Sequence, residues 1–357
     1  MGLFKDMLKD SETLFKNTIA LDYDYVPKLI PFREKHQHFI ATCVKPLFMN
    51  RNARNVVIHG LPGVGKTVAC KHVLNEIEEE TDDIYVLYVN CWQKNTSYKV
   101  IIDICEQLGY KLTHNKKSDE LFSIARNMVN KKAAVFVFDE VDKLEDYDFL
   151  YYILEEIYRK SIITITNYKD WIQNLDQRIK SRLTAEIIEF QPYDEAETRE
   201  ILRQRIKYAF VDDIWAEDAI EIAVTKTAEM GDVRSGLYLL REAGNLAEDS
   251  SSTKITKDHI LKAIEKLDEF SIKKKEELED DLQDILEIVK ENSGKKIGDA
   301  YKAYQAKGGK AGYKTFQRKI KKLSESRFIT VTKTTGGAEG TTSILEYKTA
   351  TKKLTDF

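Results

Sequence analysis

Gly60-Leu61-Pro62-Gly63-Val64-Gly65-Lys66-Thr67 has the spacing Gly-x4-Gly-Lys-Thr, a combination that can hold a polyphosphate. Glycines let the backbone turn until successive N–H groups, and the N-terminus of a following helix, converge on an anion. Lys66 adds a mobile positive charge and Thr67 a hydroxyl that can ligate Mg2+. Some 70 residues later the apolar run Ala134-Val135-Phe136-Val137-Phe138 ends in Asp139-Glu140. There one carboxylate, Asp139, can hold the Mg2+ shell and the other, Glu140, can polarise the attacking water. The chemistry implied is binding of ATP or ADP with Mg2+, and ATP hydrolysis. Alone, the first pattern is also met as an incidental glycine-rich turn and the second as a plain strand end. Their order along one chain favours the chemistry.

Asn167 closes the next apolar run, Ile162-Ile163-Thr164-Ile165-Thr166. An amide there would lie beside the terminal phosphate and orient the water, the position called sensor 1. Asparagine also caps turns routinely. Arg234, in Gly231-Asp232-Val233-Arg234-Ser235-Gly236-Leu237, sits early on a helix of a later region. Its guanidinium could report the terminal phosphate to that region, the plain alternative being a surface arginine.

Positioning these groups calls for a sheet. Short apolar runs at Asn55-Val56-Val57-Ile58, Tyr85-Val86-Leu87-Tyr88-Val89, Ala134–Phe138, Ile162–Thr166 and Ile187-Ile188-Glu189-Phe190 alternate with longer amphipathic stretches. Largely apolar strands separated by helices need both faces covered, which predicts a three-layer α/β domain with a mostly parallel sheet over 1–190. From Asp194 to about Phe270 the periodicity is wholly helical, in Ala216–Thr227, Asp232–Ala247 and Lys257–Leu267, predicting a small helical domain over 191–270. The charged stretch Ser271–Asp281 reads as a linker or a solvated helical turn, and a third domain follows over 271–357. It should hold helices at Leu282–Glu291, Ile297–Gln305 and Tyr313–Ser326, then two strands, Phe328–Lys333 and Ser343–Tyr347, joined by the loop Gly336–Gly340.

A length of 357 residues suits two or three domains. With 42% hydrophobic and 32% charged residues, and no apolar run near the ~20 residues of a membrane span, insertion into a membrane is not expected. The N-terminus has no export signal, and Cys43, Cys70, Cys91 and Cys105 are scattered singly, which suggests reduced, buried thiols in a cytoplasmic protein. The net charge of −3 conceals an asymmetry. Residues 295–357 carry 15 Lys and Arg against 5 Asp and Glu, a net +10, which points to a polyanionic partner.

Further matches extend beyond the phosphate loop: Tyr25-Val26-Pro27, Pro31-Phe32-Arg33-Glu34, Val89-Asn90-Cys91 with Thr96 and Tyr98, Asp139-Glu140-Val141-Asp142-Lys143-Leu144, Leu175-Asp176-x-Arg178-Ile179-Lys180-Ser181, Pro192-Tyr193-Asp194, Ile201-Leu202-x-x-Arg205 and Gly231–Arg234. In these the chain resembles the archaeal replication initiators of the origin-recognition and cell-division-control type, relatives of the eukaryotic origin recognition ATPases. The resemblance implies an AAA+ core, a helical lid and a C-terminal winged-helix domain. It also implies Tyr193 and Arg205 at the nucleotide beside Gly63, Val64, Gly65, Lys66, Thr67 and Val68, with Val26 and Pro27 near the adenine and Arg234 as sensor 2. Either Arg178 or Arg182 would act on the nucleotide of a neighbouring copy or paralogue, unless both are surface or salt-bridged residues.

Three helices and a hairpin are the winged-helix order, in which the third helix enters the major groove of DNA. On Tyr313–Ser326, Phe316, Ile320 and Leu323 recur at core spacing, whereas Lys314, Arg318, Lys319, Lys321 and Lys322 decorate the other face. Those cations would contact phosphates, Arg318 could reach a guanine edge, and Lys333 on the wing could approach the minor groove. The alternative is a solvated lysine face. A second candidate contact is Lys111–Ser118, near where the family carries a helical insertion; the competing reading is a polar loop. The expectation is an ATP-dependent initiator, cytoplasmic and nucleoid-associated, that binds double-stranded origin DNA, helps recruit the replicative helicase and hydrolyses ATP slowly as its switch. Two rivals stand beside it: a helicase-loader or transposition-type ATPase without DNA sequence preference, and a nucleotide-switch signalling ATPase.

Overall fold

The computed structural model describes residues 13–276, 280–309, 311–325, 328–334 and 342–347. The described residues up to Leu261 form one compact unit and those from Lys262 onward a second, the division falling within a long helix.

Five parallel strands organise the first unit: β1 (Val56–Gly60), β2 (Ile84–Asn90), β3 (Ala133–Asp139), β4 (Lys160–Thr166) and β5 (Glu186–Phe190), in the order β2-β3-β4-β1-β5. Each contains its expected apolar run, except that β1 begins after Asn55. Strand β3 shows why the runs are continuously apolar: all seven of its residues are buried. Ala134, Phe136 and Phe138 face one core with Val100, Leu121 and Phe149, whereas Ala133, Val135 and Val137 face another with Ile40, Ala69 and Val73. Alternation along a strand sends successive side chains to opposite faces, so a sheet with helices on both sides wants grease at every position. One face carries α1 (Glu34–Val44) and α2 (Lys66–Glu80). The other carries α3 (Ser97–Gln107), α4 (Ser118–Val129), α5 (Asp148–Glu156) and α6 (Gln177–Leu183).

Register sets the C-terminal edge. Asn90 pairs with Asp139, His59 with Thr166 and Gly60 with Phe190, so the ends of β1, β3 and β4 lie side by side. β1 connects to β2 by passing over β4 and β3, and the crevice outside strand ends at such a switch of order is where ligands of open α/β sheets bind.

The helical lid follows as α7 (Glu195–Ala209), α8 (Glu217–Met230), α9 (Val233–Asp249) and α10 (Lys257–Glu276). Asp194 starts α7 with a reciprocal capping box, accepting from the Glu197 N–H at 2.8 Å while Glu197 accepts from the Asp194 N–H at 3.0 Å. The chain before α1 runs back onto the lid: Lys16 and Asn17 donate backbone bonds to Ala209, and Val211 donates to Leu14. Helix α10 continues to Glu276, so the charged stretch from Ser271, read as a linker or a solvated helical turn, begins as helix; part of it, 277–279, lies outside the described residues.

The second unit contains α11 (Asp280–Glu291), β6 (Lys295–Lys296), α12 (Ile297–Ala306), α13 (Tyr313–Glu325), β7 (Ile329–Thr334) and β8 (Thr342–Tyr347). Leu286, Ala300, Phe316, Ile320, Leu323 and Leu345 are buried together in its core. The sheet has three strands, β6-β8-β7, rather than the two expected. The extra strand is two residues of unbroken charge, Lys295-Lys296, paired by backbone to Leu345 and Ile344, and so short a polar strand has no hydrophobic period to read. The helix, helix, helix, hairpin order is that of a winged helix.

Candidate functional site

The site begins at the end of β1. Gly63 and Gly65 adopt φ of 78° and 87°, the left-handed region that side chains rarely tolerate. Space forbids a side chain as well: a Cβ on Gly63 would lie 1.7 Å from Asp232 Oδ1, and one on Gly65 would lie 2.7 Å from the Tyr193 hydroxyl. Lys66 then opens α2, buried to 7% exposure. Its ammonium donates to the Gly60 and Leu61 carbonyls at 2.7 and 2.8 Å and to Asn167 Oδ1 at 2.9 Å. The amide expected at the end of β4 is therefore bonded to the lysine of the loop.

Thr67 Oγ1 donates to Asp139 Oδ2 at 2.7 Å. The Tyr88 hydroxyl, from β2, donates to the same oxygen at 2.7 Å, and the Glu140 N–H donates to Oδ1 at 2.8 Å. Asp139 is thus held on three sides with its carboxylate beside the threonine hydroxyl, a pair of hard oxygen donors suited to Mg2+. Among the described residues no cluster of three or more His, Cys, Asp or Glu could hold a metal by itself. Glu140 sits at φ 55°. Burial first, and the Asp139 charge second, hold its carboxyl above the usual glutamate range. Asp142 accepts from Thr166 Oγ1 at 2.8 Å and from the Asn167 N–H at 3.3 Å, so the acidic segment after β3 steadies the end of β4.

Across the cavity the lid contributes Asp232 and Arg234. Asp232 caps α9 and grips Arg234 through Nε at 3.0 Å and a terminal nitrogen at 2.9 Å, a fork-to-fork pair. The Val233 N–H donates to the Gly63 carbonyl at 3.3 Å, joining lid to loop. Arg205 is 8% exposed, donates to the Ala20 carbonyl at 3.2 Å and lies 5.0 Å from the Tyr25 ring centre.

These groups line one cavity of about 430 Å3 between sheet edge and lid. Of the residues anticipated at the nucleotide, Pro27, Gly63, Gly65, Lys66, Thr67, Val68, Asp139, Glu140, Asn167, Tyr193, Arg205 and Arg234 border it. Val64 does not, because it is buried behind the loop at 1% exposure; Val26 is not among the bordering residues either. The wall also includes Tyr23, Lys71, Tyr88, Gln93, Gln204 and Leu237. Nothing in their local pattern marks them; Tyr88 reads as one more apolar strand residue until β3 is placed beside it.

Arg178 and Arg182, on α6, lie outside the cavity wall. Arg178 pairs with Asp176 at 3.1 Å and Arg182 with Glu155, and both guanidinium groups lie near the Tyr151 ring. The segment from Lys111 to Lys117 has no helix and is a loop; Thr113 is buried while Leu112 and His114 are exposed. On α13, Lys314, Arg318 and Lys321 are exposed, opposite Phe316, Ile320 and Leu323, which are at most 2% exposed. The side chains of Lys322 and Lys333 and the tip 336–340 lie outside the described residues. All four cysteines are buried, and no described helix is long and apolar enough to cross a membrane.

Residues 49–166 match the family model of an AAA domain, and residues 199–265 match that of a Cdc6 AAA+ ATPase-type lid domain. The chain is similar to the ORC1-type DNA replication protein 1 of Methanothermobacter thermautotrophicus, 29% identical over 378 residues that cover 100% of this chain and 99% of that protein. It is also similar to the ORC1-type DNA replication protein of Pyrococcus furiosus, 31% identical over 287 residues, 75% of this chain and 68% of that protein. In fold it is similar to the solved structure of the Aeropyrum pernix Orc1 protein in complex with DNA, with a TM-score of 0.70 at 24% identity over 95% of this chain and 94% of that one.

Proposed function

Because the chain belongs to the ORC1-type family of DNA replication proteins, with an AAA+ ATPase core and lid, we propose that it is an ATP-dependent initiator that holds origin DNA when ATP is bound and is switched off by hydrolysis. The observation that carries this reading is the convergence of Lys66, the Thr67–Asp139 pair, Asn167 and the lid's Arg234 on a single cavity.

The loop and Lys66 bind the phosphates of ATP, and Tyr193, Arg205 and Pro27 enclose the rest of the nucleotide. Thr67 and Asp139 would hold Mg2+, which supplies charge neutralisation at the phosphates when bound. Glu140 takes a proton from the attacking water and Asn167 orients it, yielding ADP and phosphate slowly. Arg234 reads the terminal phosphate from the lid, so its loss loosens lid against core. Lys314, Arg318 and Lys321, with Lys322 and Lys333, contact DNA, and the loop 111–118 is a second contact. Arg178 or Arg182 acts on the nucleotide of another copy or a paralogue, the replicative helicase is the downstream partner, and the protein works in the cytoplasm at the nucleoid.

Two variants test the site. Lys66→Ala should abolish ATP binding in an equilibrium titration. Glu140→Ala should keep ATP bound while phosphate release drops by about a hundredfold or more, the scale on which general-base loss acts. Normal turnover by either one would overturn the assignments.

A further inference from the structure

Arg33 is a buried cation, 4% exposed, that lies directly behind the phosphate loop and outside the cavity wall. Its Nε donates to the Val64 carbonyl at 3.1 Å, one terminal nitrogen to the Gln191 carbonyl at 2.6 Å and the other to the Phe32 carbonyl at 3.4 Å. The guanidinium lies 3.9 Å from the centre of the Tyr193 ring and 5.3 Å from that of Phe190. Among the described residues no Asp or Glu forms an ion pair with it within 4.0 Å. Phe32, the residue before it, is held at φ 65°, a strained conformation for a bulky side chain that persists only where its surroundings enforce it.

A buried charge that, among the described residues, meets carbonyls and ring faces rather than a carboxylate is costly to keep out of water. The cost is offset if an anion binds close by, and the loop residue Gly65, which borders the cavity, would carry a Cβ only 3.9 Å from Arg33 Nε. Peptide planarity adds a second effect. With the Val64 carbonyl turned to Arg33, the Gly65 N–H of the same trans peptide points the opposite way, away from the arginine.

We infer that Arg33 is a positioning residue of the nucleotide site, one that aims the Gly65 N–H at the phosphates and adds its buried positive charge to their field. This rests on the reading of the cavity as the ATP site. Because Arg33 acts on the loop rather than on the lid, it supports ATP and ADP equally. Arg234, by contrast, would favour ATP.

The test is nucleotide titration of the full chain carrying Arg33→Gln, which keeps donors without charge, or Arg33→Lys, which keeps charge without the fork. Each variant is checked for folding by circular dichroism, and Lys66→Ala is measured alongside. The expected result is that Arg33→Gln weakens ATP and ADP alike by about ten- to a hundredfold, the range for lost bonds to charged groups, while Arg33→Lys restores most of that loss. A purely structural role would lower the melting temperature and leave both affinities unchanged well below it. The inference is overturned if folded Arg33→Gln binds as wild type, if the two variants lose affinity equally, or if ATP is affected without ADP. Should Arg33→Gln fail to fold, Arg33→Lys decides: affinity within about threefold of wild type supports the inference and a larger loss overturns it. Failure of the wild-type chain to bind ATP would instead remove the functional reading itself.

Discussion

Asp232 touches more of the site than any motif assigns to it. Its carboxylate pairs with Arg234, caps α9 through the Arg234 N–H at 3.1 Å, and occupies the space a side chain on Gly63 would need. Loop and lid therefore meet at a carboxylate and a missing Cβ. Gly63→Ala should displace the loop or the start of α9, since the φ of 78° is strained for alanine and the contact at 1.7 Å leaves no room. We expect a stability loss of about 1–3 kcal/mol, read by thermal unfolding, together with weaker nucleotide binding. An alanine variant that binds ATP like wild type would show that Asp232 is free to move aside. At this scale Asp139 and Asn167 were legible in the sequence because each ends or follows an apolar run, and Lys66 because of the glycine spacing before it. Arg33 and Tyr88 were not, because what they touch is distant in the chain.

At the scale of elements, the lid is tied down by the segment that precedes the core. Phe15 packs against Phe210 in a tilted pair with centroids 4.7 Å apart, and both rings press on α9 where Gly244 leaves a gap; a Cβ there would lie 2.4 Å from Phe15 Cζ and 2.7 Å from Phe210 Cε1. Gly244 is helical, so its value is space rather than backbone freedom. Gly244→Ala should cost about 1–3 kcal/mol by overpacking, despite the better helix propensity of alanine. Chemical denaturation would read the loss, and a stabilised variant would mean that the strap shifts easily. The helical period of α9 is plain in the sequence. That a strap more than 200 residues away in sequence covers it is not, because a short bridge such as Phe15 to Phe210 leaves no periodic trace.

For the whole molecule, the proposed division of labour sets an ATP site in the first unit and DNA contacts in the second. If Lys314 contacts a phosphate, Lys314→Ala should weaken binding to all duplexes and lower the slope of log affinity against log salt by about 0.9. If Arg318 reads a base edge, Arg318→Ala should instead narrow the gap between preferred and scrambled duplexes by about 1–3 kcal/mol. Fluorescence anisotropy across a salt series measures both, and unchanged slope and preference would remove α13 from the DNA interface. The sequence by itself determined the α/β core, the helical lid and the basic helix, because strand and helix periods, the glycine spacing of the loop and the charge of α13 are local properties. It also determined which residues end strands β3 and β4. Only the tertiary structure decided that those ends lie next to each other with β4 beside β1, that Asp142 steadies Asn167, and that Asp232 meets Gly63. Strand order, lid closure and the backing of the loop by Arg33 are set by packing between segments far apart in the chain, and such packing has no period along it.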